Sequence, residues 1–353
     1  MHLEIEPKRR LPDLSVVGLM PTSQALLAKY PKQNLWGESN VDVPSTCPMA
    51  SFTTSFGVEF GLITCADLIY EFPAERLQTE RGISHFVLPA AWSDEMAQMQ
   101  AMAFAQGWSL RHNATLILAN HRTSSESGSG VWRAGRTLAA TFDLDGSQAD
   151  RMTVADVGKA AASSAQLTTR SAAVARADGA DGGVTRGSGG WAFAALGEST
   201  SRVCSGAVCC TAFATRGSPA GYAVAALDGV DSGGESSWAA QVCAVFPCTS
   251  PSRECLEYQR PRTGASLTGL SLHMSGAATD TEFFPESIGT GAGLEQRMLQ
   301  PTEDAPAGAG TFAYDVASSN LTVTMPPTAD KGIIASAALY GRRFSHDQLP
   351  YAC

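Results

Sequence analysis

A chain of 353 residues with 44% hydrophobic content is long enough to bury two cores, so two domains is the starting expectation. A net charge of -9 and a pI near 5.2 argue against an extended phosphate-binding face, and nucleic acid drops out as an expected partner. The basic cluster Lys8-Arg9-Arg10 lies in a polar leader and reads as a solvated turn. No window approaches the roughly 18 apolar residues of a membrane span, and Met1-His2-Leu3-Glu4-Ile5-Glu6-Pro7 lacks the apolar h-region of a signal peptide. Read literally, that start predicts a cytoplasmic protein.

In chain order, Ser15 to Met20 and Gln24 to Tyr30 read as a hairpin across a Pro-Thr-Ser turn. Ala50 to Thr54 and Val58 to Thr64 are two further strands joined at Gly57. Pro73 opens an amphipathic helix that runs to Arg81 and ends at Gly82. His85 to Ala90 is a buried-type strand, Asp94 is the expected N-cap of a Met- and Ala-rich helix reaching about Leu110, and Ala114 to Asn120 is the next strand. Strands alternating with helices predict an α/β sheet covered on at least one face.

From about 157 to 190 the chain turns rich in Ala, Gly, Ser and Thr and reads as a linker or long loop. Beyond it, Val203 to Thr211, Tyr222 to Leu227, Ala239 to Phe246, Ser266 to Met274, Leu321 to Thr324 and Ile333 to Tyr340 are short runs without helical period, so residues 191–353 are expected to form a β-rich domain following a first domain over 1–156. Cys204, Cys209, Cys210, Cys243, Cys248 and Cys255 include no Cys-x-x-Cys pair, which favours disulfides over a metal module. Disulfides require an oxidising compartment, in conflict with the start of the chain.

The stretch Phe60-Gly61-Leu62-Ile63-Thr64-Cys65-Ala66-Asp67 is an apolar strand that ends on a cysteine and turns. An isolated cysteine there is ordinarily a small buried residue. The turn instead places Cys65 at the carboxyl edge of a sheet, where α/β folds bind ligands, and leaves the Ala66 N–H free to donate to an oxyanion. A neighbouring cation, with Lys32 the candidate, would help the thiol ionise. Asp67 is expected to bond backbone N–H groups in the turn.

Lys29 to Trp36, Phe52 to Gly57, Phe60 to Asp67 and Leu88-Pro89-Ala90-Ala91-Trp92 together resemble the nitrilase (carbon-nitrogen hydrolase) superfamily, and within it the vanin and biotinidase branch. Leu118-Ala119-Asn120-His121 with Gly128-Ser129-Gly130, and in the second domain Tyr222 to Gly229, Phe283-Phe284-Pro285-Glu286 and Ala338 to Arg342, are similar to the same branch. The resemblance extends from about residue 15 to 347. It implies an αββα sandwich, here its C-terminal part, with a β-rich disulfide-containing accessory domain, and a cofactor-independent amidohydrolase acting on a linear carboxamide of pantetheine-like or biotinyl type. Carried over, Cys65 is the nucleophile, Lys32 and the Ala66 N–H stabilise the oxyanion, and Trp92 and Asn120 contact substrate. Glu38 is weighed as a second pocket carboxylate and set aside as an exposed loop residue; His121 has no role in the family's chemistry.

One departure stands out. The family's general-base glutamate lies far upstream of the lysine, and here only Glu4 and Glu6 precede Lys32. The expectation is therefore a chain cut at its N-terminus, which would also reconcile disulfides with the missing export signal. The alternative is a short, catalytically dead homologue acting as a binding or structural protein. Asn113-Ala114-Thr115 and Asn320-Leu321-Thr322 fit the N-glycosylation pattern; Asn113, opening a buried strand, is expected to stay unmodified.

Overall fold

The computed structural model describes residues 15–19, 26–38, 40–92, 97–121, 128–142, 152–157, 185–186, 190–233, 236–257, 266–290, 296–326 and 332–347. Lys8 to Arg10, Glu4, Glu6, Asp94 and most of the expected linker lie outside these.

Strands β1 (Ser15–Leu19) and β2 (Leu26–Pro31) pair antiparallel as the expected hairpin. Next come β3 (Ala50–Thr53), β4 (Glu59–Leu62), helix α1 (Ala74–Arg81), β5 (His85–Ala90), helix α2 (Ala101–Arg111), β6 (Thr115–Asn120), β7 (Ser129–Arg133) and β8 (Arg136–Thr141). The six strands β3 to β8 form one sheet in sequence order, parallel at β4-β5 and β5-β6 and antiparallel elsewhere. Parallel neighbours need a crossover connection, and α1 and α2 supply it. Both helices join one core on the same face of the sheet, where Leu77 of α1 and Phe104 and Trp108 of α2 meet Phe86, Leu88, Leu116 and Leu118. This is one sheet layer with one helix layer on it, as the alternation of strands and helices predicts. Gly82, with φ 71, ends α1 by donating its N–H to Gln78 in the left-handed conformation glycine favours.

Helix α2 begins at Ala101, with Gln100 at its N-cap, well after the expected start. Residues 97–100, Ala-Gln-Met-Gln, are buried but not helical: two turn positions are followed by Gln100 in an extended conformation. Every residue from Ala101 to Ser109 is buried, which is the pattern of a helix covered on all sides.

The second cover comes from the C-terminal half. It contains β9 (Thr185–Arg186), β10 (Trp191–Ala195), β11 (Ser201–Ser205), β12 (Val208–Arg216), β13 (Tyr222–Gly233), β14 (Ser236–Pro247), β15 (Gly269–Ser275), β16 (Glu282–Thr290), β17 (Gln296–Met298), β18 (Gln300–Pro301), β19 (Thr311–Asp315), β20 (Asn320–Thr324) and β21 (Ile333–Arg342). The run from Val203 to Thr211 is thus a hairpin rather than one strand, because Gly206, at φ 54, reverses the chain. A seven-stranded sheet, β17-β16-β21-β14-β13-β10-β9, faces a six-stranded one, β11-β12-β15-β20-β19-β18. Val208, Val224, Val245, Leu272, Leu321 and Leu339 fill the space between them.

Among the described residues, three disulfides lie in this sandwich. Cys204–Cys209 ties directly opposed residues of the β11-β12 hairpin, Cys210–Cys243 joins β12 to β14 across the two sheets, and Cys248–Cys255 closes the loop after β14. The other face of the seven-stranded sheet presents Trp191, Phe193, Trp238, Phe246, Phe284 and Tyr340 to the same core that holds α2. Gly107 of α2 lies so close to β16 that a Cβ there would come within 2.5 Å of the Pro285 carbonyl. Sheet, helices, sheet and sheet therefore stack in that order. Among the described residues no helix is long and apolar enough to cross a membrane.

Candidate functional site

Strand β4 ends at Leu62, and the chain passes through Ile63 and Thr64 into a single turn of 3-10 helix, Cys65–Ile69. Cys65 opens that turn with φ 47, a left-handed conformation that is costly for a residue with a Cβ and is kept where the surroundings fix it. The fixing group is Asp67, which is fully buried. Its Oδ2 accepts from the Thr64 N–H at 2.9 Å, and its Oδ1 accepts from the Asn34 N–H at 3.0 Å and from Asn34 Nδ2 at 2.8 Å. Asn34 Nδ2 also donates to the Phe72 carbonyl at 2.8 Å. Burial pushes the Asp67 carboxyl up to about 6 despite the bonds from Asn34, Thr64 and Tyr30. Asp67 thus has the bracing role expected of it, and it extends beyond its own turn.

Asn34 belongs to the segment that follows β2 and carries Lys32. Lys32 is 2% exposed, and its Nζ is hydrogen-bonded and ion-paired to Glu38 Oε1, while Glu38 Oε2 accepts the Trp36 N–H. Burial disfavours the Glu38 carboxylate, but the bonds from Lys32 and Trp36 outweigh it and hold its pKa below the ordinary value. Sequence reasoning set Glu38 aside as an exposed loop residue; only the fold shows it is half-buried against the lysine.

Among the described residues Cys65 is the free cysteine, and it is partly exposed. Burial pushes its thiol above the ordinary value; the charge of Lys32 and a hydrogen bond from the Ala91 backbone pull it down, and Glu38 and Asp67 push it up. Lys32 and Glu38 therefore act on Cys65 with opposite signs. Ala66, the next residue, is buried in the first turn of the 3-10 helix, where main-chain N–H groups have no partner within the helix.

Trp92 and Asn120 come together from the ends of β5 and β6. Asn120 Oδ1 accepts the Trp92 N–H at 2.8 Å, and its Nδ2 donates to the Trp92 carbonyl at 3.1 Å. Trp92 is 7% exposed, and its indole donates Nε1–H to the Met99 carbonyl at 3.0 Å and packs 5.4 Å from Phe104. The pair forms a brace on the sheet edge adjoining Ala91, whose backbone touches the thiol. His121 is exposed and donates its N–H to the Ala90 carbonyl at 2.7 Å.

The accessory sheet borders the cysteine turn, which the sequence did not reveal. Trp238 lies 5.3 Å from Trp36 and 6.4 Å from Tyr70, Ser236 Oγ donates to the Leu35 carbonyl at 2.7 Å, and Arg342 Nε donates to the Ile69 carbonyl at 2.7 Å.

Residues 192–347 match the Vanin C-terminal domain family. Among curated proteins, the chain is 36% identical over 109 residues to a biotinidase of Takifugu rubripes, covering 30% of this chain and 21% of the relative. It is 31% identical over 122 residues to a human pantetheinase, covering 34% and 24%. A vanin-like protein of Drosophila melanogaster is 32% identical over 126 residues, covering 34% and 22%. The aligned part thus spans under a quarter of the length of these relatives. Among solved structures, an amidase of the nitrilase superfamily from Nesterenkonia is 25% identical, covering 33% of this chain and 47% of that one, with a TM-score of 0.27.

Proposed function

We propose that this chain, a relative of the vanins and biotinidases that carries a vanin C-terminal domain over residues 192–347, is an amidohydrolase whose nucleophile is Cys65, with residues 1–156 bearing the chemistry and 191–353 forming an accessory domain. The observation that supports the reading is the Asn34–Asp67 link, which ties the segment carrying Lys32 to the turn carrying Cys65, with the Lys32 charge acting on the Cys65 thiol.

In this reading the Cys65 sulfur attacks the carbonyl carbon of a linear carboxamide as the thiol gives up its proton, and the carbonyl π pair moves onto oxygen. Lys32 Nζ and the Ala66 N–H hold that oxyanion. Collapse breaks the C–N bond, the amine leaves with a proton, and a thioester remains on Cys65 for water to hydrolyse to carboxylic acid and free thiol. Glu38 orients the lysine. Asn120 and Trp92 act as positioning residues for the Ala90-Ala91 edge. The general base is assigned to none of the described residues. The names of the relatives suggest pantetheine or biotinyl amides as substrates, and the disulfides suit an extracellular location.

The test is turnover of pantetheine and of a biotinyl amide by the chain, Cys65→Ala and Lys32→Ala. Loss of at least about 10³-fold in Cys65→Ala is expected; equal residual activity there overturns the mechanism. A second reading, a homologue that binds amides without turning them over, is favoured by the burial that pushes the Cys65 thiol above its ordinary value. Binding of the amide by the wild-type chain with no thioester trapped and no product released would favour it.

A further inference from the structure

Away from the cysteine turn, three side chains from three elements converge where the helix layer meets the accessory sheet: Glu75 of α1, His112 at the C-cap of α2 and Glu282 of β16. One ligand atom from each lies within 4.8 Å of the others. Glu75 and His112 side chains are 10% and 9% exposed, with His112 Nε2 3.4 Å from Glu75 Oε1.

The hydrogen-bond directions define the lone pairs. Gln78 Nε2 donates to the His112 carbonyl at 2.6 Å, which turns Gln78 Oε1 toward His112 Nδ1, 2.9 Å away. An amide oxygen only accepts, so Nδ1 carries a proton, and in the neutral ring that leaves Nε2 a bare acceptor. The ring is held between Trp108, at 4.4 Å, and Phe284, at 5.9 Å. Nε2 therefore points an acceptor at Glu75 Oε1. Both atoms, and Glu282 Oε2, are buried without a hydrogen-bond partner among the described residues. Glu282 uses its other oxygen toward Arg111 Nη2, at 3.4 Å, on the solvent side.

Three acceptors facing one another at low exposure are electrostatically unfavourable unless a cation or a proton stands between them. We propose that Glu75, His112 and Glu282 bind a divalent cation of the zinc class, joining the helices to the accessory sheet. Zinc bonds of about 2.0–2.1 Å in a tetrahedron place ligand atoms about 3.4 Å apart, the spacing seen between His112 and Glu75. Imidazole with carboxylates is a donor set that suits zinc, and the Gln78 acceptor on Nδ1–H is the outer partner that metal-bound histidines usually have. Glu282, at 31% side-chain exposure, provides the entry path. Burial pushes Glu75 up to about 8 and His112 down to about 4, so a shared proton on Glu75 is the competing arrangement.

The experiment is zinc titration of the EDTA-stripped, desalted full chain and of Glu282→Gln, a rim substitution whose fold is verified by circular dichroism, together with anomalous diffraction at the zinc edge from crystals of the wild-type chain. The proposal expects one equivalent retained by the wild type, a density peak between the three side chains, and binding at least about tenfold weaker in Glu282→Gln. No retained zinc, equal affinity in the variant, or a peak elsewhere would overturn it and leave the proton-bridged cluster.

Discussion

Asn34 and Asp67 are joined twice, by the Asn34 main-chain N–H at 3.0 Å and by Nδ2 at 2.8 Å, both donating to the same carboxylate oxygen. Through this contact the segment bearing Lys32 is tied to the turn bearing Cys65. Asn34→Ala removes the side-chain bonds to Asp67 and to the Phe72 carbonyl and leaves buried acceptors behind. It should cost about 1.5–3 kcal/mol, read as a lower midpoint in urea denaturation, and should slow alkylation of Cys65 as Lys32 loses its fixed position.

Asp67 also sets a pH dependence. Its folded value of about 6 exceeds the ordinary 3.8, so between these the native state holds more protons than the unfolded one. The contribution of Asp67 to stability is fully present below about 3.8, falls as pH rises to about 6, and is level above that. Thermal denaturation across pH 3.5–7 should show this decline in the difference between the chain and Asp67→Asn; a difference that rises with pH would contradict the burial argument.

The charges around the thiol predict opposite effects from neighbouring residues. Alkylation by iodoacetamide at pH 7 should be slower than for free cysteine, because burial raises the Cys65 pKa and only the thiolate reacts. Lys32→Met should slow it further and Glu38→Gln should speed it, by roughly tenfold for each pKa unit gained or lost.

At the helix–sheet joint, Gly107→Ala drives a methyl against the Pro285 carbonyl. Backbone cannot yield as a side-chain end does, so a destabilisation of about 1–3 kcal/mol is expected, visible in denaturant unfolding and as loss of near-ultraviolet circular dichroism from Trp108.

Removing the inter-sheet disulfide should cost more than removing the hairpin one. Cys210–Cys243 closes 33 residues and Cys204–Cys209 closes 5, so chain-entropy estimates are about 4 and about 2 kcal/mol. Paired Cys→Ala substitutions compared by thermal unfolding check the order.

Local features were the legible ones. The Pro73 to Gly82 helix, the β5 and β6 strands and the cysteine cluster carry their signals within a few residues. Glu38 is not legible, because a loop glutamate reveals nothing of the buried lysine it faces. The start of α2 was misplaced because burial on all sides erases the amphipathic period that marks a helix, and that burial comes from β16, more than a hundred residues away. Glu282 is brought to Glu75 and His112 by tertiary packing alone, so no spacing in the chain announces it.

The core that α2 shares with the seven-stranded sheet makes the two halves a single cooperative block. Heat or denaturant should melt them in one transition, with no surviving C-terminal sandwich. Damage to Trp238 or Arg342, more than 170 and more than 270 residues from Cys65 along the chain, would be felt at the cysteine turn as directly as damage to its own strand. A genetic lesion in the C-terminal half would therefore be inherited as a disturbed cysteine turn in the N-terminal half.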